Sequence, residues 1–300
     1  MSRLLLACAL ALALAAPAAA APPPAAAVPI DQDGWTERKQ RLTLPNGIEM
    51  AWVELGDPQG EPVLLLHGYT DSSRVWTVLA PWLDKYRLLI PDQRGHGASS
   101  APECCYAIAD FTHDAALFLD ALGIERAAVV GHSMGSMIAQ RLAAEHPERV
   151  TRIVLAGSTA LAPVKRGDWL WEKMAALKEP ISSNTEFLEE WSYAATPTPV
   201  DPVFVRRMDA EVARVPMQVW RGVIRDLADV PVGRFAAEVK APVLILSGGK
   251  DVLFPAEHHA SLVAAYPSAE ARVFQALGHN LVVEQPHELA PVIDRFLSGE

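Results

Sequence analysis

Short apolar runs alternate with longer amphipathic ones along most of this chain. Val63 to Leu66, Leu88 to Ile90, Ala127 to Val130, Ile153 to Leu155, Val243 to Leu246 and Arg272 to Phe274 have strand length and read as buried strands. Between them, Val75 to Leu83, Phe111 to Leu122, Met134 to Glu145, Ala256 to Tyr266 and Leu289 to Leu297 carry apolar residues at helical spacing. Strands alternating with helices predict an α/β fold, a mostly parallel central sheet covered by helices on both faces. Upstream, Arg41 to Leu44 and Glu49 to Val53 flank Pro45-Asn46-Gly47, turn chemistry that predicts a hairpin and hence an antiparallel edge.

One interval breaks the rhythm. From Ala160 to Val232 no buried strand is predicted, yet four of the eight tryptophans (Trp169, Trp171, Trp191 and Trp220) fall there, divided by the Pro-rich Thr196 to Pro202. The expectation is a helical cap over 160–232, inserted into a core formed by 40–159 and 233–300.

The amino terminus follows other rules. Arg3 precedes an apolar stretch from Leu4 to Ala16, and Ala18-Ala19-Ala20 provides a small-residue cleavage site, the pattern of a secretory signal peptide over 1–21. A retained anchor would need about 20 apolar residues, and the stretch meets Pro17 first. Cys8 fits a lipoprotein site poorly. A Pro/Ala-rich linker is expected to follow, within 22–39. The sequence therefore predicts a secreted or periplasmic protein, cleaved near Ala20, with no stable membrane insertion afterwards.

Thirty-six acidic residues against 26 basic ones give a formal net charge of −10, the wrong sign for a nucleic-acid partner. After cleavage only Cys104 and Cys105 remain; adjacent cysteines reach disulfide geometry only with strain, so two free or partly buried thiols are expected.

The chemistry begins at Gly131-His132-Ser133-Met134-Gly135, a GxSxG placed between a predicted strand and a predicted helix. A serine in so sharp a turn needs small neighbours, and the turn lifts its hydroxyl out of the sheet beside the N–H groups of the next helix. The bland alternative is a glycine-bearing turn with a helix-capping serine; the strand before and the helix after favour a nucleophile. Serine also needs a base and a group that holds the base in the right tautomer. Of nine histidines, His279 lies on the loop after the last core strand, and Asp251 lies just beyond the strand Val243 to Leu246, so both reach the carboxyl edge where Ser133 sits. The preceding strand exit, Leu155 to Thr159, holds no carboxylate, which leaves Asp168 as the weaker rival. An oxyanion hole is expected from the backbone N–H groups of Met134 and Tyr69, with Thr70 as the second choice for the latter. A histidine base implies a rate that falls as pH drops through a value near 6.5. His258 and His259 diverge on a helix and are read as surface residues, and no metal or cofactor motif is present.

Five ordered blocks, LLLHGYTDSSRVW, PDQRGHGASSAP, VVGHSMGSMIAQRLAAEHPERV, PVLILSGGKDVLFP and GHNLVVEQP, resemble the α/β-hydrolase superfamily, in its capped serine esterase and lactonase-like branch. The resemblance spans nearly all of Arg41 to Leu297. It implies triad roles for Ser133, Asp251 and His279, an oxyanion hole at Tyr69 and Met134, and a mainly structural role for the Asp92 to Gly97 loop. Ser136 departs from the pattern, where many members carry a second glycine. The chemistry implied is hydrolysis of a small-molecule carboxylic ester or lactone through an acyl-enzyme, without a cofactor. A serine in place of aspartate in the elbow counts against epoxide and haloalkane hydrolysis. Carbon–carbon bond hydrolysis and cofactor-free haloperoxidase chemistry share the triad and stay open, as does a non-catalytic ligand-binding protein on the same fold. Trp169, Trp191 and Trp220 are the candidate walls of an apolar substrate pocket, with Trp171, Tyr193, Met208 and Met217 as further candidates.

Overall fold

The computed structural model describes residues 27–229 and 231–300; the signal-peptide expectation over 1–21 lies outside them. Eight strands form one sheet: β1 (Gln40–Thr43), β2 (Glu49–Gly56), β3 (Pro62–Leu66), β4 (Arg87–Pro91), β5 (Ala127–His132), β6 (Val150–Ala156), β7 (Val243–Gly248) and β8 (Glu270–Phe274). Their order is β1-β2-β4-β3-β5-β6-β7-β8. The β1–β2 hairpin is antiparallel, as its turn chemistry predicts, and β2 pairs antiparallel with β4; the other pairings are parallel. The helices are α1 (Ile108–Ala121), α2 (Met134–Glu145), α3 (Trp169–Ala176), α4 (Thr185–Trp191), α5 (Pro202–Val212), α6 (Met217–Leu227), α7 (Ala256–Ala265), α8 (Leu281–Glu284) and α9 (Pro286–Ser298).

The continuous apolar runs are explained by two cores, one on each face of the sheet. Leu64, Leu66, Val129, Ile153, Leu155 and Ile245 pack on the α1–α2 face, while Val63, Leu65, Val130, Val154, Leu244 and Leu246 pack on the α8–α9 face. Successive side chains of a strand point to opposite faces, so a strand covered on both sides has no position left for a polar residue. β3 has β4 on one side and β5 on the other. The chain direction of travel across the sheet reverses there, which opens a crevice at the carboxyl ends of β3 and β5, the usual place for a ligand in an open α/β sheet.

Four features differ from the sequence expectations. The helix expected over Val75 to Leu83 is two 3₁₀ turns, Ser73–Val78 and Ala80–Trp82, because Pro81 lacks the N–H and its ring clashes with the preceding turn. β8 is expected to be buried; it is the half-exposed edge strand, with β7 as its only neighbour among the described residues. The linker expected over 22–39 ends early: Trp35 is fully buried and donates to Ser73 Oγ at 3.3 Å, and Lys39 pairs with buried Asp92 at 2.7 Å. Cys104 and Cys105 are exposed and joined in a vicinal disulfide, with Cys105 in the left-handed region (φ 75°), where adjacent side chains can be turned onto each other.

Between β6 and β7 the chain runs through α3 to α6, and among the described residues one isolated bridge, Val164 to Ala228, lies outside the sheet. Among the described residues no helix is long and apolar enough to cross a membrane, and no cluster of three His, Cys, Asp or Glu side chains is placed to hold a metal ion.

Candidate active site

Ser133 follows β5 directly, with φ 51° and ψ −120°, a left-handed conformation that non-glycine residues seldom adopt. The sequence tolerates it because the positions two before and two after it, Gly131 and Gly135, are glycine. A Cβ on Gly131 would lie 2.4 Å from the Gly135 carbonyl oxygen, and one on Gly135 would lie 2.1 Å from the Leu66 carbonyl oxygen. Ser136, where a second glycine is common, reinforces the turn: its hydroxyl donates to the Ser133 carbonyl at 2.5 Å and lies 2.6 Å from Ser158 Oγ. The turn leaves the Ser133 hydroxyl facing a cavity.

His279 Nε2 stands 2.9 Å from Ser133 Oγ, and His279 Nδ1 stands 2.9 Å from Asp251 Oδ2. Asp251 Oδ1 in turn accepts the backbone N–H groups of Leu253 and Phe254 at 2.9 and 2.8 Å. Burial pushes the Asp251 carboxyl up, but the His279 charge, the His279 hydrogen bond and the two backbone donors prevail and hold it below its ordinary value. For His279, burial disfavours the charged ring, yet the charge and hydrogen bond of Asp251, assisted by Asp71 and Glu284, raise it above the ordinary histidine value. An ionised Asp251 keeps the proton on Nδ1, so Nε2 is free to accept the Ser133 hydroxyl proton. Asp168, the rival acid, caps α3 by accepting the Trp171 N–H, also accepts the Lys165 N–H of the preceding turn, and takes no part in this relay.

The loops that present these groups are pinned to each other. Lys250 N–H donates to the Leu277 carbonyl at 2.8 Å, and Gly248 packs so closely that a Cβ would lie 2.1 Å from the Gly278 carbonyl oxygen. Glu284 accepts the Gly278 N–H at 2.9 Å, and burial raises its carboxyl above the ordinary value. His132, next to Ser133, donates from Nε2 to the His279 carbonyl at 3.0 Å. Sequence reasoning did not single out His132, Glu284 or Asp71. All three lie inside the motif blocks, so block membership was the available signal.

Tyr69 and Met134, the residues expected to supply oxyanion donors, both line the cavity beside Ser133. Met134 opens α2, where a backbone N–H has no intrahelical acceptor. Thr70, the second choice, is excluded by a neighbour: its N–H is taken by His96 Nε2 at 3.2 Å. Burial pushes His96 down to about 3, so it remains a neutral acceptor. His67, Asp92 and Arg94 are likewise structural, with His67 accepting the Gln93 N–H and Arg94 paired with Asp114.

The cavity measures about 270 Å³ and reaches from Ser133 up between α3, α4 and the loop after β7. Trp169 and Trp191 line it, together with Phe187, Tyr193, Leu227 and Phe254; Trp169 is also 56% exposed and forms part of the rim. Trp220 is not a wall, contrary to expectation. It is fully buried on the inner face of α6, where its indole N–H donates to the Val215 carbonyl and its ring backs Tyr69 and Phe187. Met208 and Met217 are core residues, and Trp171 lies under the Arg166 guanidinium. His258 and His259, read as surface residues, are half-buried and bonded to Thr159 and Ser247 of the core. Lys173 and Glu190, at the cavity edge, pair with each other.

Residues 61–286 match the alpha/beta hydrolase fold family, and the chain belongs to it. It is similar to an uncharacterised protein of Mycobacterium tuberculosis, 29% identical over 79% of this chain and 75% of that one. It is also similar to Lipase 1 of Psychrobacter immobilis, 28% identical over 86% of this chain and 83% of the lipase. Among solved structures, a hydrolase from Pseudomonas aeruginosa superposes with a TM-score of 0.77 at 28% identity, covering 86% of this chain and 98% of that one. The protein is thus a hydrolase of the α/β-hydrolase superfamily.

Proposed function

We propose that the chain is a serine hydrolase that cleaves small to medium, uncharged carboxylic esters or lactones through an acyl-enzyme. The observation that carries this reading is the relay Ser133–His279–Asp251, two contacts of 2.9 Å each, at the floor of a mostly apolar cavity. In the first half-reaction Ser133 Oγ bonds to the substrate carbonyl carbon while its proton passes to His279 Nε2. The carbonyl oxygen becomes an oxyanion, which the Tyr69 and Met134 N–H groups stabilise. The tetrahedral intermediate collapses by breaking the bond to the leaving oxygen, which takes the proton from His279. Water then adds to the acyl-enzyme, losing a proton to His279 Nε2, and the second tetrahedral intermediate collapses by breaking the bond to Ser133 Oγ, which regains that proton from His279 as the acid is released; a lactone yields a single hydroxy acid.

The substrate class follows from the walls. Phe187, Trp191, Leu227 and Phe254 offer apolar contact, and of the charged side chains on the cavity, Lys173 and Glu190 neutralise each other. Similarity to a lipase supports ester chemistry, while the cavity volume of about 270 Å³ favours shorter acyl groups than a triglyceride carries. A binding protein on this fold would have no need of an aligned serine, histidine and aspartate. The test is a screen of purified protein against aryl esters of graded acyl length, several lactones, a vinylogous diketone and an acyl thioester. Turnover is expected for short and medium esters or lactones. Turnover of the diketone alone would replace the proposal by carbon–carbon hydrolysis, and tight binding without turnover would replace it by ligand binding.

A further inference from the structure

The geometry points to Trp191 and Tyr193 as positioning residues for the oxyanion hole, so that filling the apolar cavity is converted into rate. The inference rests on the reading of the Tyr69 N–H as an oxyanion donor. Three successive residues after β3 are each held by a different part of the helical stretch between β6 and β7. Tyr69 Oη donates to the Trp220 carbonyl of α6 at 2.6 Å. Trp191, the last residue of α4, donates its indole N–H to Thr70 Oγ1 at 3.0 Å. Tyr193 Oη donates to Asp71 Oδ1 at 2.7 Å. Beyond them the Ser72 hydroxyl bonds Glu211 of α5, and Arg74 pairs with the same carboxylate at 2.6 Å.

The loop needs this support. Thr70 has φ 65°, and a β-branched residue in the left-handed region is strained unless its surroundings over-determine it. Core contacts supply only part of the restraint: His96 takes the Thr70 N–H, and the Asp71 N–H reaches the Gly68 carbonyl at 3.3 Å. The Trp191 and Tyr193 bonds complete it. Once they are lost, Thr70 can relax toward negative φ, and the neighbouring Tyr69 peptide turns with it, taking the oxyanion donor out of line.

The same side chains are cavity walls. Tyr69, Trp191 and Tyr193 all line it, and Phe187 stacks on Trp191 with ring centroids 5.5 Å apart. An acyl or aryl group packed against Trp191 and Phe187 therefore presses on the residues that hold the loop. Binding energy spent on fixing a transition-state donor raises kcat rather than lowering KM.

Thr70→Val keeps the shape and removes the acceptor for Trp191; Tyr193→Phe keeps the ring and removes the donor to Asp71. Each is expected to lower kcat for a medium-chain aryl ester about 10- to 100-fold, below the cost of deleting an oxyanion donor outright, while KM stays within about threefold. The inhibition constant of an arylboronic acid, whose tetrahedral adduct on Ser133 carries an oxygen in the oxyanion site, should rise in step with the loss of kcat. The dissociation constant of a non-hydrolysable ether analogue should not move. In the wild-type enzyme, which needs no altered fold, single-turnover acylation should quicken from acetyl to hexanoyl esters. A raised KM with unchanged kcat, a lowered kcat with unchanged boronate affinity, or a flat acyl series overturns the inference. Full activity in Ser133→Ala would instead overturn the proposed function; loss there with wild-type rates in Thr70→Val and Tyr193→Phe overturns this inference alone.

Discussion

Ser133→Ala is expected to lower kcat for an ester by about a millionfold, the size of loss seen when the serine of a comparable triad is removed. The expectation follows from the division of labour in the site. Without the hydroxyl, His279 Nε2 has no proton to accept at the point of attack, and water would have to enter the place that Ser133 Oγ holds 2.9 Å from the ring. The proposed oxyanion donors should stay in place, so a residual rate above that in plain water should survive. The variant should fold, since the elbow is held by Gly131, Gly135 and the Ser136 hydroxyl rather than by the Ser133 side chain. Steady-state kinetics with a chromogenic ester, together with thermal unfolding of both proteins, check the two halves of the expectation. A variant that keeps more than about a hundredth of the rate would remove Ser133 from the mechanism.

The second large effect is at Asp251. Asp251→Asn should fold but lose about four powers of ten in kcat, because the amide can donate to Nδ1 and so favours the tautomer with its proton on the wrong nitrogen. It should also change the pH profile. On the proposed mechanism the rate requires a neutral imidazole, and Asp251 holds the His279 pKa above its ordinary value, so the acidic limb should lie above about 6.5 rather than at it. The sign is fixed by the charge: protonated His279 is favoured by the carboxylate, activity is complete above the raised pKa, and it is lost as pH falls through it. With asparagine the main cause of that rise is gone, and the residual activity should have its limb at lower pH. Rate profiles of both proteins from pH 5 to 9 with a neutral ester check this, over roughly the range in which histidine titrates. An unmoved limb would mean that Asp251 does not set the charge of His279.

Much of this was legible in the residues. The two-sided cores of β3, β5, β6 and β7 are written as uninterrupted apolar runs, so the alternation of strands and helices along the chain follows from periodicity, while the order of strands in the sheet does not. The elbow is legible because close approach of backbone to backbone at Gly131 and Gly135 allows nothing larger. What escaped depends on contacts between distant segments. Trp220 and Trp191 look alike in a helical interval; only the packing of α6 against Tyr69 puts one behind the wall and the other in it. The apolar spacing of Val75 to Leu83 is helical, but Pro81 within it breaks the run into two 3₁₀ turns. Trp35 sits in a polar, unpatterned stretch, and its burial comes from partners such as Ser73, 38 residues away. The upward shift at His279, led by Asp251, is assisted by Asp71 and Glu284, which reach the ring only after folding.

Covalent labelling by a serine-directed fluorophosphonate reads out the activation of Ser133 itself. Such a reagent reacts with a serine that a neighbouring base has activated and leaves ordinary hydroxyls alone. Intact mass and peptide mapping of the native protein should give one adduct, on Ser133, with none on the Ser133→Ala protein and much slower labelling after His279→Ala. An adduct on another residue, or undiminished labelling of Ser133→Ala, would contradict the account.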